Sequence, residues 1–175
     1  MSLKNSIVNN FPKAIEFSSN GISDSLTGAP APKIFFDSLV RDISNSQRKS
    51  HALSIVTIKL LSKNGEKTKL KNSTDPSSNQ SILEFEKHLA LISNCIKSNM
   101  RGGEFYARIA ENGFWLCIQG DLEEASKAAD RFEAKISEIS KNLKDETRTE
   151  FFASEWQKGF SAMNWVDEVD SHYFS

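Results

Sequence analysis

Apolar residues recur along the chain with two different spacings, and their alternation predicts an ordered series of helices and strands. Four segments have apolar residues three and four positions apart, which is the spacing of one buried helical face. Those residues are Phe36, Leu39, Val40 and Ile43; then Ile82, Phe85, Leu89, Ile92 and Ile96; then Leu122, Ala125, Ala129, Phe132, Ile136, Ile139 and Leu143; and last the apolar residues within 163–173. Each segment is predicted to be a helix.

Short apolar runs between these segments predict the strands of a sheet. They cover residues 52–61, 104–109, 114–119 and about 150–156. The first run is rich in β-branched residues, which favours a buried strand. Ala110-Glu111-Asn112-Gly113 joins the middle two, and Asn-Gly between apolar runs is typical of a tight hairpin.

The resulting order, αβαββαβα, predicts an α+β fold in which helices pack on a mostly antiparallel sheet. A ferredoxin-like palm is the natural candidate. We expect residues 1–20 to be a lead-in segment and residues 21–175 to form a single domain. The polar stretch at residues 62–80 predicts an exposed loop.

The composition narrows the class of protein. The chain has 175 residues, with 22 basic and 23 acidic side chains, which suits one globular domain and predicts no broad nucleic-acid surface. No apolar run approaches the roughly 18 residues of a membrane span, and no signal peptide is visible. Cys95 and Cys117 lie in apolar runs, so we expect reduced core thiols in a cytoplasmic protein, and no zinc site.

Three stretches of the chain match the pattern of one family. Residues 24–30, DSLTGAP, followed by Phe35 and Leu39, resemble D-x-L-T-G-L-P-N-R-x-x-F-x-x-x-L, although Ala31-Pro32 replaces Asn-Arg. Residues 101–114, RGGEFYARIAENGF, resemble R-x-x-D-x-x-x-R-x-G-G-D-E-F without a gap. Residues 165–174, WVDEVDSHYF, are similar to L-L-x-x-A-D-x-A-L-Y. These are the motifs of the GGDEF domains of bacterial cyclic di-GMP signalling.

Residues 101–105, RGGEF, look like the GGDEF motif with one residue deleted. The spacing favours residues 110–114 as the true equivalent, because the predicted turn lies there and Gly102-Gly103 would begin the first hairpin strand.

The resemblance implies the fold of a diguanylate cyclase, in which two facing domains each hold one GTP and divalent metal ions. Such hard cations prefer carboxylate oxygens. This chain has other residues at the positions that correspond to the metal-binding strand and turn: Lys59, Leu61, Ala110, Glu111, Asn112 and Gly113. An ammonium at Lys59 would repel a divalent cation. We therefore expect no catalysis, no bound metal and no cofactor.

The family often has an inhibitory site, R-x-x-D, that binds cyclic di-GMP. Arg101 and Glu104 match its spacing before the turn, and the planar fork of arginine suits phosphate and a guanine edge. The alternative is that Arg101 only ends a helix, near the negative end of its dipole. Glu86 falls where the family has a guanine-reading aspartate. The simpler interpretation, a solvated helical glutamate, is favoured.

Two other features favour structural roles. Glu84 and His88 share a helical face, but two residues do not make a metal site. Trp156 and Trp165 are expected to pack against the sheet.

The leading hypothesis is a catalytically inactive, GGDEF-like regulatory domain that biases a partner, a second copy or a neighbouring sensor or EAL-type domain. One alternative is a sensor that binds cyclic di-GMP at Arg101 and Glu104. The other is a divergent cyclase with a rearranged site, in which Lys59 grips a triphosphate in place of metal.

Overall fold

Helices and strands alternate in the order predicted from the sequence. The computed structural model describes residues 15–62, 76–143 and 147–174. Within them the elements are α1 (Pro32–Lys49), β1 (Ser54–Ser62), α2 (Pro76–Asn99), β2 (Phe105–Ala110), β3 (Gly113–Ile118), α3 (Leu122–Ser140), β4 (Thr147–Glu155) and α4 (Ala162–Phe174).

The strands form one sheet in the order β2-β3-β1-β4, and every neighbouring pair is antiparallel. This order, with a helix after β1 and another after β3, is the ferredoxin-like arrangement. The α+β prediction is therefore confirmed. β1 lies inside the sheet, paired on both sides, which explains why its apolar run lacks polar alternation.

Two hydrophobic cores cover the two faces of the sheet. The first contains Val56, Ile58 and Leu60 of β1 together with the apolar faces of α2 and α3. The second contains Ile55 and Trp115 together with the apolar faces of α1 and α4. Successive strand residues point to opposite faces, so β1 contributes to both cores.

The buried helical faces differ in part from the prediction. In α2 all five predicted residues are buried. In α1 the buried apolar residues are Phe35, Leu39 and Ile43, whereas Val40 is 53% exposed. Phe35 packs edge-on against Phe105 and Trp115. In α3, Ala128 is buried and Leu122 is 45% exposed.

The segment predicted as a polar loop ends earlier than expected. α2 begins at Pro76, a residue suited to the first helical turn, so residues 76–80 are helical. Residues 63–75 lie outside the described part of the chain, as do residues 1–14 of the predicted lead-in segment. Within the described residues, no helix is both long and apolar enough to cross a membrane.

The prediction that both tryptophans pack against the sheet is confirmed, and of the two predicted core thiols Cys117 is buried and Cys95 is half-buried. Trp156 and Trp165 are buried, and their indole N–H groups donate to Phe160 O and Ser154 Oγ. Cys95 and Cys117 are free thiols, and burial raises the pKa of both.

Candidate functional site

The hairpin between β2 and β3 turns where the sequence predicts it. Ala110 pairs with Gly113, so Glu111 and Asn112 form the turn. Asn112 ties this turn to β1, because its Nδ2 donates to Leu60 O over 3.1 Å and its carbonyl accepts from Leu60 N over 2.7 Å. Gly102 and Gly103 were expected to begin β2; they lie in a separate turn before it.

Lys59 reaches from β1 to the C-terminal end of α4. Its Nζ donates to the carbonyl oxygen of Tyr173 over 2.6 Å and lies 5.1 Å from the centroid of the tyrosine ring. The carbonyls at a helix C-terminus carry partial negative charge, which stabilises a nearby cation. The ammonium of Lys59 therefore binds α4.

Tyr173 occupies the space beside the hairpin turn. Its hydroxyl donates to Asn112 Oδ1 over 3.2 Å, and burial raises its pKa well above the usual range, so it remains a donor. A Cβ added to Gly113 would overlap this hydroxyl and lie 2.6 Å from Ile58 O. We call Lys59, Asn112, Gly113 and Tyr173 the closed turn site.

The residues at this place do not fit a divalent cation. Leu61 and Ala110 are apolar, and Asn112 is already paired through its side-chain oxygen and nitrogen. Glu111 has a carboxylate but is exposed on the turn. Within the described residues, no group of three histidine, cysteine, aspartate or glutamate side chains could hold a metal.

A buried ion pair between Arg108 and Asp24 supports the turn. It was not predicted from the sequence. Arg108 Nη1 lies 3.0 Å from both carboxylate oxygens of Asp24, with the two side chains 0% and 2% exposed. Asp24 Oδ1 also accepts from the backbone N–H and the hydroxyl of Thr27. Arg108 Nη2 donates to the turn carbonyl of Glu111 over 2.6 Å. Asp24 and Arg108 both stand at matched positions of the family motifs. These positions were the signal from which the pair could have been predicted.

Arg101 and Glu104 lie together at a cleft of about 370 Å³ beside the first three turns of α3. We call it the α3 cleft, and its lining residues are Arg101, Gly102, Glu104, Ile118, Gln119, Glu124, Lys127, Ala128 and Arg131. Arg101 and Glu104 were predicted from the sequence, whereas the cations of α3 were not. The signal it missed was that Lys127 and Arg131 are one helical turn apart, on the same face.

Charged groups in the α3 cleft are only partly satisfied by the protein. Glu104 Oε2 accepts the backbone N–H of Arg101 over 2.7 Å and lies 3.7 Å from Arg131 Nη2. Arg131 Nε and Nη2 are buried and have no hydrogen-bond partner among the described residues. The Arg101 residue is exposed. The cleft thus offers guanidinium donors to an anionic ligand.

Two further predictions on α2 have different outcomes. Glu86 is only 5% exposed and accepts the backbone N–H of Glu16 over 3.0 Å, so the interpretation as a solvated glutamate is wrong. His88 is buried, which lowers its pKa. Its ring nitrogens lie 2.7 Å from Ser140 Oγ and 2.8 Å from Thr147 Oγ1, a structural arrangement.

Solved structures of GGDEF domains share this fold. The GGDEF domain of DgcB from Caulobacter crescentus, in complex with c-di-GMP, gives a TM-score of 0.68 at 14% identity and covers 88% of each chain. The FimX GGDEF domain from Pseudomonas aeruginosa gives 0.63 at 14% identity over 85% of this chain and 89% of that one. Diguanylate cyclase SiaD from Pseudomonas aeruginosa, in complex with its activator SiaC, gives 0.66 at 18% identity over 85% of this chain and 55% of that one.

No protein-family model matches the chain, and no curated protein matches it in sequence. The likeness is therefore one of fold: the chain has the architecture of a GGDEF domain.

Proposed function

We propose that this chain is a catalytically inactive GGDEF-type domain that acts in cyclic di-GMP signalling as a regulatory module, by binding cyclic di-GMP in the α3 cleft. The binding step can bias a neighbouring domain or a second copy only if the two states of that partner differ in their affinity for the loaded domain.

The closed turn site supports the inactive part of the proposal. A metal-dependent transfer between nucleotides needs anionic oxygens at the end of β1 and at the turn. Lys59 instead places a positive charge there, held by the Tyr173 carbonyl at 2.6 Å. Because Tyr173 also fills the space beside Gly113, an acidic side chain at that position would not fit without movement of α4.

The α3 cleft supports the binding part, and one observation carries it. The guanidinium of Arg131 keeps two buried nitrogens without hydrogen-bond partners among the described residues, close to Arg101 and Lys127 in the same cleft. Cyclic di-GMP brings two phosphate charges and two guanine edges, and arginine can pair with both kinds of group. Glu104 and Glu124 add carboxylates that could accept guanine N–H groups.

Titration calorimetry tests the binding proposal. We expect cyclic di-GMP to bind and Arg101→Ala to weaken binding by about tenfold or more, since a hydrogen bond to a charged group contributes roughly 1.5–3 kcal/mol. Lys97→Ala is the matched control, because Lys97 is an exposed cation that does not line the cleft. Binding that is absent, or equally weakened by both substitutions, contradicts the proposal.

Incubation with GTP and Mg²⁺ tests the inactive part. We expect no cyclic di-GMP by chromatography, at protein concentrations that permit dimers to form. Product formation that Lys59→Met abolishes would favour the divergent cyclase in which Lys59 grips the triphosphate. If neither ligand binds, the domain acts through protein contacts alone.

A further inference from the structure

Two parts of the chain that are distant in sequence meet at the hairpin turn. One is the strap, residues 15–20, which leads into the domain. The other is the last turn of α4. We infer that the turn formed by Glu111 and Asn112 is a mechanical link, through which displacement of the strap is transmitted to the end of α4. Its regulatory use rests on the proposed function, but the link itself can be tested without any ligand.

The strap contacts the turn through Arg108. Ile15 packs in the core, and Glu16 N donates to Glu86, which anchors the beginning of the strap. The ring of Phe17 then lies over the Arg108 guanidinium, 5.1 Å from Cζ to the ring centroid. Arg108 in turn donates to Glu111 O over 2.6 Å. Phe17 therefore covers the cation that holds the first residue of the turn.

The end of α4 contacts the other residue of the turn. The Tyr173 hydroxyl donates to Asn112 Oδ1, and the Tyr173 carbonyl accepts from Lys59. Asn112 is also joined to Leu60 through its main chain and its side chain. Any shift of the turn must therefore change the hydrogen bonds that hold the last turn of α4.

The strap is the most exposed part of this link. Residues 16–20 are all exposed, and Phe17 keeps 42% of its surface in solvent. Segments with few buried contacts open at low free energy. Arg108, in contrast, is fully buried, and its Nε has no hydrogen-bond partner among the described residues. Loss of the Phe17 ring would admit water to this guanidinium and weaken its hydrogen bond to Glu111 O. The effect would pass along the contiguous contacts of the link.

Amide hydrogen exchange at Leu60 measures the link directly, because Leu60 N donates to the turn carbonyl of Asn112. Phe17→Leu removes the ring face and keeps an apolar side chain, while Tyr173→Phe removes only the hydroxyl. We expect each to accelerate Leu60 exchange about 3- to 10-fold, the size of one cation–π contact or one hydrogen bond. In the double variant the acceleration should be clearly smaller than the product of the two.

Two references make the result decisive. The Val56 amide, in the buried centre of β1, reports global unfolding, and its change is subtracted. Phe160→Leu is the matched control, since Phe160 is 38% exposed and is not part of the network. The inference is overturned if the two accelerations simply multiply, if Phe17→Leu leaves Leu60 unchanged, or if Phe160→Leu has the same effect. None of these outcomes bears on whether cyclic di-GMP binds the α3 cleft.

Discussion

The closed turn site and the α3 cleft lie at opposite ends of β2. Their polar groups differ in how far they are paired by hydrogen bonds within the protein. At the turn, Lys59, Asn112 and Tyr173 satisfy one another and the neighbouring main chain. In the cleft, Arg131 retains buried nitrogens without a hydrogen-bond partner among the described residues, and Arg101 is exposed.

This difference is the physical reason for proposing a ligand in the α3 cleft and none at the closed turn site. A polar group with a good internal partner gains little from a new one, whereas a buried donor without a partner costs free energy until one arrives. The resemblance in sequence points to both places alike. Their hydrogen bonds distinguish them, so substitutions at either place test the difference.

The largest effect is expected at the ion pair that supports the turn. Asp24→Ala leaves Arg108 buried and uncompensated, which should lower the free energy of unfolding by about 3–5 kcal/mol. Urea denaturation followed by circular dichroism measures the change. Asp37→Ala is the control, because the Lys33–Asp37 pair is exposed and should contribute less than about 1 kcal/mol. Equal losses in the two variants would mean that burial of the Asp24 pair is unimportant.

The next effect belongs to the α3 cleft. Arg131→Ala should weaken cyclic di-GMP binding by about 10- to 100-fold, because a charged hydrogen-bond donor is lost. The free domain should lose less stability than in Asp24→Ala, since the contact between Arg131 and Glu104 spans 3.7 Å and Arg131 is 22% exposed. Calorimetry and thermal unfolding of the same sample separate the two quantities. A large loss of stability with unchanged affinity would make Arg131 a structural residue and would remove the contrast with the turn.

The element order and the sheet could be predicted from the sequence, because strand and helix spacings are local properties of the chain. The details of burial could not. Val40 and Phe36 continue a helical stripe as well as Phe35 does, but Val40 is 53% exposed, whereas both phenylalanine rings pack edge-on against Trp115 of β3. Which side of a broad apolar stripe is buried depends on the partner, and the partner is distant in sequence.

The positions of the candidate sites could also be predicted, but their chemistry could not. The sequence predicted that Lys59 and Asn112 lie at the β1 end and at the hairpin turn, yet their common partner, Tyr173, follows 61 residues after Asn112. Glu86 was expected in solvent but is only 5% exposed, and it accepts the backbone N–H of Glu16, which stands in a segment without a motif. Long-range contacts of this kind decide whether a polar residue is free for a ligand.

A smaller effect is expected from filling the space beside the turn. Gly113→Ala places a methyl group against the Tyr173 hydroxyl and Ile58 O, and overpacking of this kind typically costs about 1–3 kcal/mol. The Ile58 oxygen belongs to the main chain of β1 and cannot rotate away. Gly102→Ala is the matched control in the cleft, where an added Cβ has no atom within 4 Å. Equal stability of the two variants would show that the turn site is less closed than its contacts indicate.

The smallest effect concerns the hydroxyl of Tyr173. Tyr173→Phe removes one neutral hydrogen bond, so the variant should be less stable by about 1 kcal/mol at neutral pH. Burial raises the pKa of Tyr173 in the folded state, while an unfolded tyrosine ionises near pH 10. The unfolded state therefore loses this proton first, and the stabilisation is lost as the pH rises through and above 10.

Denaturation curves between pH 7 and pH 11 should show the wild type losing stability more steeply than Tyr173→Phe, so that the two converge at the alkaline end. Burial also raises the pKa of Tyr106, but this residue is present in both proteins and its effect cancels in the difference. A constant difference at every pH would mean that the Tyr173 hydroxyl ionises as readily as in the unfolded chain. The closed turn site would then be open to water, and its hydrogen bonds would no longer distinguish it from the α3 cleft.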